Sequence, residues 1–138
     1  MKLTLKHAIA AIVLVFGFAA PVTAGQFEDA AAAYNRGDYA TALQLFRSLA
    51  DRGDAKAQMS LGAMYNLGRG VPQEFTEGVK WSRRAAEQGN AGAQASLGGA
   101  YYEGHGVTRD YVEAAKWYRL ESRPDGIFGR DRGRSYFG

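Results

Sequence analysis

The apolar positions of this chain follow a helical rhythm. Ala57, Leu61 and Tyr65 recur every four residues and so share one helical face. That spacing predicts a helix A from about Ala55 to Leu67, and the same pattern predicts a second from Ala91 to Glu103. A partner helix B is predicted from about Phe75 to Gln88, and again from Tyr111 to about Glu121. Asp54 and Asn90 stand just before the A helices, where a short polar side chain caps free amides. Asp110 is placed to cap the last B helix, and Glu74, its counterpart, is a weaker cap. Gly68 and Gly104 follow the last turn of each A helix, the favoured place for a left-handed residue. No β-branched run alternates with polar residues over a useful length, so no strand is predicted.

The two helix pairs are copies of one another. Residues 55–83 align without gaps on residues 91–119 at an offset of 36, and 14 of the 29 positions are identical. The identities include Leu61/Leu97, Gly62/Gly98, Tyr65/Tyr101, Gly68/Gly104, Gly70/Gly106, Val71/Val107 and Trp81/Trp117. A fixed period of this length is the signature of a stacked repeat. A shorter unit precedes them: Asp38-Tyr39 lies two periods before Asp110-Tyr111, and Tyr34 takes the role of Tyr65. Ala42, Leu45 and Phe46 make its inward face. The fold class expected is all-α, a short α-solenoid of antiparallel helix pairs.

The text "LG..Y", then "G.GV", an acidic residue and "KW" on helix B, at period 36, resembles the Sel-one-like repeat, a relative of the tetratricopeptide helical hairpin. The resemblance covers roughly Phe27 to Leu120. Residues 55–90 form one such repeat and residues 91–122 a second, incomplete at its C-terminal side. Residues 25–54 lack the "G.GV" turn and look more like a plain tetratricopeptide hairpin. Ser82 departs from the family, which usually places an aromatic after the tryptophan; Tyr118 keeps it. Identity between the copies stops abruptly after Arg119, which points to a truncated or degenerate family member.

The flanks differ from this body. Lys2 and Lys6 precede an apolar run from Ala8 to Ala20, then Pro21 and the small residues Val22-Thr23-Ala24. This is the order of a secretory signal, with cleavage expected after Ala24 and no stable membrane insertion afterwards. The run is too short for a comfortable span, which needs about 20 residues. The expected location is the periplasm or outside the cell. At the other end, residues 123–138 hold Pro124 and four glycines and are expected to be a disordered tail.

Charge and chemistry then narrow the function. The formal charge of +3 comes from the flanks: residues 25–122 carry 11 basic against 12 acidic residues, which removes the case for nucleic-acid binding. There is no cysteine, so packing alone must hold the fold in an oxidising compartment. A Ser-His-Asp triad would have to use His105, the one histidine outside the signal. Its counterpart is Arg69, which reads as a solvated turn position. Neither metal nor cofactor is expected: no second histidine supports a metal site, and no strand precedes "GRGV" or "GHGV" as a dinucleotide fingerprint requires.

The resemblance implies a concave groove lined by the A helices. Asn35, Lys56, Asn66, Tyr102 and Glu103 are the expected partner-binding residues there, with Ala63 and Gly99 nearby. Asparagine both donates to and accepts from a peptide backbone. The expected function is a non-catalytic scaffold for a protein or peptide partner. The alternatives are a hydrolase of cell-wall material or β-lactams, an activity of some secreted relatives that are cysteine-rich where this chain has none, and a degenerate product without an independent role.

Overall fold

The computed structural model describes residues 25–122. The signal expected over residues 1–24 and the tail expected over residues 123–138 lie outside the described residues. Six helices follow in order: α1 (Gln26–Asn35), α2 (Tyr39–Asp51), α3 (Ala55–Leu67), α4 (Phe75–Glu87), α5 (Ala91–Glu103) and α6 (Tyr111–Glu121). α1, α3 and α5 are the A helices; α2, α4 and α6 are the B helices. Each helix packs chiefly on the next in sequence. This is an all-α solenoid of helix pairs, with no strand among the described residues.

The ends of the helices follow from single residues. Asp54 accepts a hydrogen bond from the Ala57 amide at 2.8 Å, and Asn90 accepts one from Ala93 at 2.9 Å. Asp110 accepts from both Val112 and Glu113, whereas Glu74 makes no side-chain cap. At α2, Asp38 accepts from Thr41, and this bonding holds its carboxyl below the usual aspartate value. Asp54→Ala and Asn90→Ala are each expected to cost about 1 kcal/mol in urea denaturation, and Glu74→Ala close to nothing. Equal costs at all three sites would count against the capping account.

Two apolar clusters fill the stack. Ala30, Ala33, Ala42, Phe46, Leu49, Ala57, Leu61, Met64 and Trp81 make the first, between α1 and α4. Val79, Ala85, Ala86, Ala93 and Leu97 make the second, with Trp117 and Val107 half-buried against it. Gly62 lets α3 and α4 approach closely: a Cβ there would stand 2.7 Å from Ser82 Oγ and 3.0 Å from the Gly78 carbonyl. Ser82, where an aromatic was expected from the family pattern, is small and buried for this reason.

Three polar contacts recur between successive units. Gln58 Nε2 donates to the Ala50 carbonyl at 3.1 Å, and Gln94 Nε2 donates to Ala86 at the same distance. Each glutamine thereby adds a second donor to a carbonyl near the C-terminal end of the preceding B helix, which also accepts from the Gly53 or Gly89 amide at 3.0 Å. Arg47 donates to the Tyr65 hydroxyl, and Arg83 donates to Tyr101. The third contact is made by the A–B turn, which lies over the start of the preceding B helix. Arg69 donates to the Tyr34 hydroxyl and stands 5.6 Å from the Tyr39 ring centroid; His105 stacks on Phe75 at 4.6 Å and 15°.

Candidate binding groove

Two adjoining hollows open on the face formed by the A helices. The first has a volume of about 410 Å³. Phe27, Phe46 and Met59 give it apolar wall, and Ala31, Ala63 and Gly92 leave the space open because their side chains are small. Tyr34, Asn35, Ser60 and Ser96 complete it, so its lining carries no charged side chain. The second hollow, about 290 Å³, shares Ser96 and runs on past Asn66, Gly99 and Ala100 to Phe75, Glu103 and His105. The surface is therefore neutral and largely apolar at one end and ionisable at the other.

The expected binding residues divide across this surface. Asn35 lines the first hollow; Asn66 and Glu103 line the second. Lys56 and Tyr102 are exposed but line neither, and the Tyr102 ring meets Tyr111 edge-on at 5.4 Å. Asn66 has a narrower role than its free amide suggested. Its Oδ1 is buried without a hydrogen-bond partner, in the space that a side chain at Gly78 would occupy.

Of the residues that line the first hollow, only Asn35 and Ala63 were placed in the groove from the sequence; Tyr34 and Phe46 were read as packing positions. A signal existed: Ser60 and Ser96 are identical at the repeat offset, and Ala63 is matched by the equally small Gly99. Small residues at the same helical position in successive units leave a continuous furrow.

His105 is exposed, as its turn position implied, but it is not idle. Nδ1 lies 2.9 Å from Glu103 Oε2, and the ring rests on Phe75. This pairing orients the imidazole, as in a catalytic dyad. Ser96 lines the same hollow, yet it precedes Glu103 by seven residues on α5, about 10 Å along the axis. Among the described residues no hydrogen bond joins Ser96 to His105. The pair therefore reads as part of the inter-unit contact, with no nucleophile attached to it.

The Sel1 repeat family model matches residues 26–54, 55–90 and 91–120. The chain belongs to the Sel1 repeat family. Among solved structures it is similar to c5321, a protective antigen of uropathogenic Escherichia coli displaying an SLR fold. The identity is 38% and the TM-score 0.69, over 78% of this chain and 24% of that one. It is also similar to a Sel1 repeat protein from Oxalobacter formigenes, at 34% identity and a TM-score of 0.59, over 60% of this chain and 63% of that one. The chain thus spans about a quarter of the length of the first relative and under two thirds of the second. No curated protein matches it. Sel1 repeat proteins generally mediate protein–protein interaction, and no helix among the described residues is long and apolar enough to cross a membrane.

Proposed function

We propose that this chain is an exported scaffold that captures a protein partner by an extended segment bearing a bulky apolar side chain. The observation that carries the reading is the first hollow. It is built by three successive A helices, is apolar on most of its wall, and offers Asn35, Ser60 and Ser96 to fix a peptide backbone. Desolvating an apolar side chain supplies the affinity, at about 25 cal/mol for each Å² buried. The polar groups supply orientation. Export rests on the basic, apolar and small-residue order of residues 1–24, and accords with the antigenic character of c5321.

The test is a displayed peptide library selected on the full chain, with binding then measured to the Ala63→Arg variant. Ala63 is exposed on α3 and lines the hollow, so the substitution places an unpaired charge in the groove without disturbing the core. Affinity is expected to fall about tenfold or more, or roughly 1.4 kcal/mol. Unchanged affinity for selected apolar peptides would sink the groove reading. Export is checked by N-terminal sequencing of the protein from a periplasmic fraction, with Gly25 as the expected first residue.

A further inference from the structure

The two hollows form one furrow with a direction. Ser60 and Ala63 on α3 and Gly92 on α5 line only the first, Leu67 on α3 and Glu103 on α5 only the second, and Ser96 lies in both. Residue numbers rise together on the two helices, so the furrow runs along α3 and α5 toward their C-terminal ends. Its electrostatic character changes on the way. The first hollow holds no charged side chain, and Glu103 is the one carboxylate lining the second. Both helices also end there, at Leu67 and Glu103. The carbonyl end of a helix carries a partial negative charge, which adds to that of the carboxylate.

Glu103 is open to a further partner. Its side chain is 59% exposed, and His105 is its ion-pair partner among the described residues. A neutral imidazole with its proton on Nδ1 makes that bond and leaves the carboxylate charge uncancelled. Arg109 reaches the Glu103 backbone carbonyl at 3.5 Å and does not line the hollow. Across from Glu103 the wall is apolar: Leu67, at the same place in the preceding unit, is 56% exposed. The second hollow therefore pairs an apolar flank with a single anionic end.

We propose that the partner segment carries an arginine or lysine two residues from its apolar anchor, with the stem lying on Leu67 and the charge on Glu103. The inference rests on the groove reading of the first hollow and adds the charge and spacing of the occupant. A basic side chain suits both walls, because its methylene stem covers apolar surface while its head stays charged and wet. The spacing agrees. Side chains on one face of an extended segment are about 7 Å apart. Ser96 and Glu103 are separated by about 10 Å along α5, and the long basic side chain spans the remainder. An aliphatic residue at that place leaves the carboxylate unpaired, and an acidic one is repelled by it.

A displayed library of random heptapeptides, selected in parallel on the full chain and on Glu103→Gln, tests this. The apolar residue is expected to be enriched on both proteins, and the basic residue two places away only on the chain that keeps Glu103. For a selected peptide, replacing its basic residue by glutamine is expected to weaken binding to the full chain about threefold, the size of an exposed ion pair. The difference should shrink at high salt and be absent in Glu103→Gln. Apolar enrichment without the basic residue, or a basic preference that persists on Glu103→Gln, overturns the inference and leaves the groove reading standing. Absence of apolar enrichment on the full chain sinks both.

Discussion

Gly106→Ala is expected to destabilise the chain by about 3 kcal/mol, a cost assembled from backbone strain and overpacking. Gly106 has a φ of +73°, where an L residue is strained. Its Cβ would also overlap the Phe75 carbonyl and stand 2.8 Å from the Thr76 amide nitrogen. Both are backbone groups at the start of α4, so no flexible side chain can yield. Three controls separate the two effects. Gly53 and Gly37 also have positive φ, but a Cβ at either meets nothing within 4 Å, so alanine there carries only the conformational cost of about 1 kcal/mol. Gly70, where the Cβ would stand 2.8 Å from the Tyr39 carbonyl, falls between. Urea denaturation of the four variants is expected to rank them Gly106, Gly70, then Gly53 and Gly37 together. Equal losses at Gly106 and Gly53 would show that the turn does not bear on the preceding unit as described.

The helices were legible in the sequence because the signals for them are local. The bounds of α3 and α5 agree with the expected ones, α4 ends one residue early, and the caps at Asp54, Asn90 and Asp110 form while Glu74 makes none. What joins the units was harder to see. Arg69 and His105 looked solvated because the position changes between copies. Their aromatic partners change with them, from Tyr39 to Phe75, so a planar group lies on a ring in both copies although the letters differ. Identity between repeats is blind to such paired changes. Gln58 and Gln94 failed in the opposite way. They are identical, but a lone glutamine in an alanine-rich helix looks like solvent-facing filler. Only the stacked arrangement shows a buried side-chain donor meeting a carbonyl of the preceding unit. The groove was legible as a face and not as a set of residues. A furrow is made by side chains that are missing, and small residues carry little signal of their own.

Leu61→Ala and Leu97→Ala are each expected to cost about 3 kcal/mol, from lost transfer energy and the cavity left behind. Both leucines are fully buried, 36 residues apart, at the same place in their units. Their consequences should nonetheless differ. Leu61 lies in the larger cluster, which joins α1, α2, α3 and α4 and so holds the helix pair on which α5 and α6 stack. Leu97 lies in the smaller cluster between α4, α5 and α6. In a stack held by nearest-neighbour contacts, damage at one end spreads only as far as the interfaces it weakens. A domain of this size has about 5–15 kcal/mol of net stability, so either loss is a large fraction of it. Native-state hydrogen exchange should therefore show protection falling across all six helices in Leu61→Ala. In Leu97→Ala, α5 and α6 should lose protection while α1, α2 and α3 largely keep theirs. A uniform fall in both variants would mean that the chain unfolds as one unit, and that the two clusters act as a single core.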